Sequence, residues 1–351
     1  MLTSLIVLSL TLYGFTSPLK RDASLSVSLS GPASNITSID DLKFTATVSN
    51  TGSESVKILK YGTILDDILP TRSFNVTKDG VAVPFTGIKL SISLEDIDDS
   101  AFAFISSGQS VTAEHDLSAL FDFASVGAGA FTFSPVTSFQ IISPKTRLTS
   151  GISLDQCAVD ICTDNSKKSF IDARLVQARF ISCLKSSKIC FSYTEGKTLA
   201  SIASAYISAN GSNSLYTGYY GITPTAEVLT VFDRVANETS NTRTMDCTDP
   251  FGVCRGSTVA YTAIATTNVY FCDRFFSEVP QTDLRAGNTT VAARNIRGST
   301  VLHELTHATS DTLDVSYGCA NDQRLLATEQ VVNADNYECF ATQVYYDTKC
   351  N

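Results

Sequence analysis

The stretch Thr300-Val-Leu-His-Glu-Leu-Thr-His-Ala-Thr-Ser-Asp-Thr-Leu-Asp-Val-Ser-Tyr-Gly318 decides how the chain is read. His303 and His307 stand four residues apart, about one helical turn, so both imidazoles project from one face and offer two nitrogens to a single metal ion. Zinc takes neutral imidazole nitrogens at about 2.0–2.1 Å, and a catalytic zinc keeps three protein ligands and one open position for water. Glu304 then lies beside that water as general base, and coordination brings the water's pKa from about 15.7 to about 7. The helix is expected to start at Gly298-Ser299 or Thr300, with Val301, Leu305 and Ala308 on its buried face.

The third ligand must be a carboxylate or a cysteine. The chain has three histidines, and the remaining one, His115, lies far upstream where it reads as a surface residue. Asp314, seven residues after His307 and past a turn at Thr309-Ser310-Asp311, is the first candidate. Asp311 is nearer and competes, and Glu329 or Glu338 would serve if the ligand came from a downstream helix. Zinc-bound histidines need acceptors for their other ring nitrogen, and Asp335 or a backbone carbonyl is expected there. Tyr317 reads either as a packing residue or as a phenol donating to the oxyanion of a tetrahedral intermediate.

The segment from His303 through Asp311-Thr-Leu-Asp-Val-Ser-Tyr-Gly318 resembles the deuterolysin family of fungal zinc endopeptidases, the aspzincins, whose signature is H-E-x-x-H followed by G-T-x-D-x-x-Y-G. The resemblance implies zinc on His303, His307 and Asp314, Glu304 as base, and Tyr317 near the substrate carbonyl. Asp311 stands where the family has glycine, which leaves it open as a ligand. Cys247-Thr-Asp-Pro-Phe-Gly-Val-Cys254, continuing to Cys272-Asp273 and Ser277-Glu278-Val279-Pro280, resembles the disulfide-bearing region of the same family, as does Asn333-Ala-Asp-Asn-Tyr337 in the last helices. It implies pairing of Cys157 with Cys247 and of Cys254 with Cys272.

Upstream, Met1–Ser17 is a short apolar run followed by small residues, expected to be a secretory signal peptide rather than a membrane span. All ten cysteines fall between Cys157 and Cys350. Behind a signal peptide an even count argues for disulfides formed in an oxidising compartment rather than a zinc-cysteine site. Sequons at Asn35, Asn75, Asn210, Asn237 and Asn288 fit a secreted glycoprotein.

From Asp22 to Pro144 the pattern is strand-like. Leu25-Ser-Val-Ser-Leu29, Phe44-Thr-Ala-Thr-Val48 and Leu90-Ser-Ile-Ser-Leu94 alternate apolar with polar, the period of half-buried strands, and a small β-sandwich is expected. After Arg147 helical stripes take over at Phe170, Ile171, Arg174, Leu175 and Ala178, then Leu199, Ile202, Ala203 and Tyr206, then Val228, Val231, Phe232 and Val235. Further stripes are Leu325, Leu326 and Val332, then Tyr337, Phe340, Ala341 and Val344. Thr258–Ile264 is the clearest strand of this half, and a nearby edge strand would hold an extended substrate by backbone hydrogen bonds.

The expected organisation is multidomain: signal peptide 1–17, β-sandwich-like propeptide 18–147, and a mainly α (α+β) zincin-type metallopeptidase domain 148–351 stabilised by disulfides. Lys20-Arg21 and Lys145-Thr-Arg147 are basic sites where a processing protease could cut. A permanent accessory domain is the alternative for the first unit. The whole chain carries −9, and after residue 147 there are 16 basic against 21 acidic residues, net −5. That balance disfavours nucleic acid and anionic membranes and favours basic polypeptide substrates. The reading is therefore a secreted, monomeric zinc endopeptidase inhibited by its own propeptide and acting on proteins or peptides. A catalytically inactive secreted binding module or effector is the alternative, set aside because His303, Glu304, His307 and a third ligand are all present.

Overall fold

The computed structural model describes residues 25–32, 35–141, 157–161, 186–240 and 242–350. The signal peptide, both basic sites and the 170–178 stripe lie outside them. The N-terminal strands are β1 (Leu25–Ser30), β2 (Asn35–Ile36), β3 (Lys43–Asn50), β4 (Val56–Leu59), β5 (Phe74–Lys78), β6 (Val81–Ala82), β7 (Ile88–Ile92), β8 (Phe102–Ile105), β9 (Ser110–Asp116), β10 (Gly129–Pro135) and β11 (Cys157–Ile161). All but β7 form sheets ordered β1-β3-β9, β2-β11-β10-β5-β6 and β4-β8. The alternation in Phe44–Val48 becomes a buried face against one aromatic core, in which Phe44 meets Phe74 and Phe133 with ring centroids 5.3 and 4.9 Å apart. β11, past residue 147, extends this unit by pairing antiparallel with β10.

His115 corrects the surface assignment made for it. It is 7% exposed, its Nε2 is 2.9 Å from the Ile64 carbonyl, and its ring stands edge-on to Phe74. Its place in β9 turns it inward, a consequence of strand register that composition does not carry.

The second half holds β12 (Met245–Asp246), β13 (Thr258–Ala263) and β14 (Asn268–Phe271), with helices α2 (Ser186–Asn210), α3 (Ser214–Tyr220), α4 (Thr225–Ala236), α5 (Gln281–Arg285), α6 (Arg297–Ser310), α7 (Cys319–Asp322), α8 (Ala327–Gln330) and α9 (Ala334–Lys349); α1 is a single turn at Phe123–Val126 in the N-terminal unit. The stripes of α2, α4 and α9 converge as expected: Leu199, Ala203, Val228, Phe232, Tyr337, Phe340 and Val344 share one core. Leu326 does not join it and is 66% exposed, because the chain there makes only the single turn of α8.

α6 is the central helix, with Gly298 through His307 all buried. It crosses α2 at glycine contact: a Cβ on Gly298 would lie 2.6 Å from Glu195 Cβ, and one on Gly196 would lie 2.9 Å from the Gly298 carbonyl oxygen. Only glycine at both positions lets the backbones approach so closely. The helix begins at Arg297 without a side-chain cap, against the expected Ser or Thr cap. Its first-turn hydroxyls bind carboxylates instead, Thr300 donating to Glu278 and Ser299 to Glu338 Oε1 at 3.2 Å. Among the described side chains, Cys254 pairs with Cys272 and Cys319 with Cys339 in disulfides. Cys247 is also disulfide-bonded; the side chain of its expected partner, Cys157, lies outside those described.

The main topological departure is β7. Leu90-Ser-Ile-Ser-Leu94 reads as a half-buried strand of the first unit, yet β7 leaves its neighbours and pairs antiparallel with β13, completing the order β12-β14-β13-β7. All five of its residues are buried, Lys89 and Ser91 included, because the sheet lies on one side and both units close over it.

Candidate metal centre and cleft

His303 and His307 lie on the face of α6 that looks toward β7, and the chain after α6 returns Asp314 to them. Asp311 makes that return possible: it caps the helix in the left-handed conformation, φ 55° and ψ 30°, with its N–H donating to the His307 carbonyl. A short polar side chain tolerates this region, and glycine occupies it without cost. Asp314 Oδ1 sits 3.1 Å from both His303 Nε2 and His307 Nε2. Tetrahedral ligands at zinc distances are separated by about 3.3 Å, so the three atoms match the spacing of one zinc shell.

The proton positions fit as well. His307 Nδ1 donates to the Thr312 carbonyl at 2.8 Å, leaving Nε2 as a lone pair, and that nitrogen has no hydrogen-bond donor among the described residues. His303 Nδ1 faces Glu338 Oε2 at 3.2 Å and Asp335 Oδ1 at 3.7 Å. Two ring nitrogens turned onto one carboxylate in a buried site form an arrangement that a cation held between the three would satisfy. Asp314 is held far below the ordinary carboxylate range: burial would raise it, but His307 and His303 outweigh burial.

Behind the histidines lies a buried ionic cluster. Arg294 pairs with Asp335 and, at 3.1 Å, with Glu338, and its guanidinium packs over the Tyr317 ring. Asp335 Oδ2 also accepts from the Gly318 N–H at 2.6 Å. Glu338, weighed as a zinc ligand from sequence, instead stands on the outer side of His303. Glu329 caps α8 through the Leu326 N–H. Asp311 is not among the carboxylates gathered with the histidines and pairs with Lys89. Arg294 was not found from sequence, since no short motif ties it to residues 41 and 44 positions on.

Glu304 is fully buried. Its Oε2 accepts a 2.6 Å hydrogen bond from Thr262 of β13, and Oε1 has no partner among the described residues. Burial pushes its pKa up to about 8 against the pull of His303 and the Thr262 hydroxyl; a bound dication would pull it back down.

β7 lies across this centre. The Leu90 N–H donates to Asp314 Oδ2 at 2.8 Å, and the Tyr317 hydroxyl donates to the Leu90 carbonyl at 2.7 Å. The next amide, Ser91 N–H, faces the Glu304 carboxylate. Pairing continues on both flanks, where Ser93 N–H donates to Ser257 O and Ile264 N–H to Gly87 O. Gln140 of the N-terminal unit brackets Tyr317, accepting from its N–H and donating to its carbonyl, both at 3.1 Å.

A buried H-E-x-x-H helix beside a mixed sheet, with a carboxylate returned onto both histidines, defines a zincin-like metalloprotease. Residues 2–350 match the model of the Deuterolysin metalloprotease (M35) family, and the chain belongs to that family. Its cofactor is accordingly zinc and its class hydrolase. A neutral protease 2 homolog of Phaeosphaeria nodorum is 28% identical over 93% of both chains, and one of Sclerotinia sclerotiorum is 30% identical over 86% of both. A peptidyl-Lys metalloendopeptidase of Armillaria mellea is 27% identical over 90% of this chain and 91% of its own. A solved zinc peptidase from Grifola frondosa is 20% identical, covering 46% of this chain and 97% of its own at a TM-score of 0.34, a likeness that carries no argument.

Proposed function

We propose that this protein is a secreted zinc endopeptidase made as a zymogen, in which His303, His307 and Asp314 hold the metal, Glu304 is the general base, Tyr317 is the carbonyl donor, and residues 18–147 are the propeptide. The observation that carries the reading is the seating of the Leu90–Ser91 peptide, its carbonyl on Tyr317 and its N–H toward Glu304, antiparallel to β13. Zinc bound at the three ligands supplies Lewis-acid polarisation and lowers the pKa of water. Glu304 Oε1 takes a proton from the attacking water and delivers it to the departing amide nitrogen, while Thr262 fixes the carboxylate by holding Oε2. The Tyr317 hydroxyl stabilises charge on the carbonyl oxygen. β13 aligns the substrate backbone once β7 has left it.

The same seating supports inhibition by the propeptide, since a substrate strand and β7 compete for one edge. The peptidyl-Lys relative and the acidic charge balance support basic protein substrates. Four sequon asparagines, Asn75, Asn210, Asn237 and Asn288, are exposed, which supports a glycosylated secreted protein. Among the described residues no helix is long and apolar enough to cross a membrane.

The test is casein hydrolysis and zinc content for wild type, Glu304→Gln and Asp314→Ala. Expected are an active wild type, a Glu304→Gln protein that keeps zinc and loses activity, and an Asp314→Ala protein that loses both. Full zinc and activity in Asp314→Ala would overturn the ligand assignment.

A further inference from the structure

We propose that Asp311, with the carbonyl end of α6, forms a subsite selecting lysine or arginine at the residue immediately before the one whose carbonyl is attacked. The proposal rests on the endopeptidase reading and adds to it a position and a residue.

β7 supplies the register. The Leu90–Ser91 peptide spans Tyr317 and Glu304, so Leu90 stands where the attacked carbonyl belongs and Lys89 precedes it. Lys89 is 3% exposed, an extreme burial for a lysine unless it is paired. Its Nζ donates to the Asp311 carbonyl at 3.0 Å and to Asp311 Oδ1. Both acceptors lie at the C-terminus of α6, where the helix dipole adds negative potential and favours a cation. Burial lowers the Lys89 pKa, while Asp311 first and Asp314 next draw it back up.

The other charges around Asp311 point the same way. Burial lowers the pKa of Arg72 in the N-terminal unit, and the negative charge of Asp311 draws it back up. The Asp311 side chain is 74% exposed even with Lys89 against it, so the carboxylate is open to solvent on the side away from the lysine. Its backbone is in the left-handed region, where aspartate is less comfortable than glycine. The residue that departs from the family pattern at this position is therefore the one that meets the only charged side chain of β7. Lys89 and Asp311 are separated by 222 residues, so their meeting is a property of the cleft and not of local turn geometry.

The experiment uses the full chain, secreted and allowed to mature, on peptides carrying Lys, Arg, norleucine or Glu before a Leu-Ser bond. The expected kcat/KM for Lys and Arg exceeds that for norleucine by about tenfold, and Asp311→Asn, which keeps the left-handed turn, lowers that ratio below about twofold. The ratio is internal to each protein, so a general loss of activity does not move it. A second readout needs no turnover: in full-length Glu304→Gln, hydrogen exchange at the Leu90 and Ser91 amides should quicken about tenfold with either Asp311→Asn or Lys89→Met and no further with both. A wild type without basic preference at that position, or a preference that survives Asp311→Asn, overturns the subsite while leaving casein hydrolysis intact. Failure to cut casein as well overturns the endopeptidase reading on which it rests.

Discussion

Truncating Leu90 to alanine tests whether β7 packing holds the proposed cleft closed, because the substitution leaves the backbone bonds to Asp314 and Tyr317 available. Leu90 is 1% exposed and belongs to a core shared by both units, including Leu69, Ile88 and Phe102 on one side and Phe251, Tyr261 and Tyr317 on the other. A buried Leu→Ala change costs about 2–5 kcal/mol. If that loss falls on the closed state alone, the open fraction of unprocessed chain rises roughly 30-fold to several thousand-fold, at about 1.36 kcal/mol per factor of ten. The assay is hydrogen exchange across Thr258–Ala263, with hydrolysis of a quenched peptide by intact, uncleaved protein beside it. Both should rise together. A Leu90→Ala chain that keeps its melting temperature, exchanges like wild type at β13 and gains no activity would refute the claim that β7 packing closes the site.

Three further outcomes are expected. Arg294→Met leaves Asp335 and Glu338 buried without their cation, which should lower stability by about 3–5 kcal/mol in denaturant titrations and weaken zinc affinity about 10- to 100-fold through His303; unchanged zinc affinity would exclude this clamp. Replacing Cys319 and Cys339 together by alanine opens a link between α7 and α9 spanning 20 positions, a loss of about 3 kcal/mol by loop entropy, checked by urea midpoint under oxidising conditions. Burial raises Asp66 to about 6 against the Thr71 hydroxyl and Leu69 N–H that favour its charged form. The folded state therefore keeps this proton after the unfolded state, near pKa 3.9, has released it. The associated stability, about 3 kcal/mol, is full below about pH 4 and lost as pH rises through 6; Asp66→Asn should flatten that slope, and an unchanged slope would assign it elsewhere.

The site was legible to the extent that its parts are local. His303, Glu304 and His307 follow from the pitch of one helix, and Asp314 came within reach because a single left-handed residue turns the chain back after three more positions. The stripes of α2, α4 and α9 were readable for the same reason, since a buried helix face repeats every three to four residues. Alternation in residues 90–94 gave a strand but not its partner. Period two assigns faces and leaves the hydrogen-bonding edges free, so β7 read as part of its own unit and its full burial was missed. His115 was misplaced on the same ground.

By itself the sequence determined an H-E-x-x-H helix and a short list of carboxylates to complete the proposed site, all set by spacing along one element. Tertiary structure alone decided which carboxylate faces both imidazoles, which ones stand behind them, and that Leu90 and Lys89 enter the cleft from more than 200 residues away. The physical reason is that helical geometry is written into neighbouring residues, whereas strand pairing and buried ion clusters depend on groups that meet only after the chain has closed long loops.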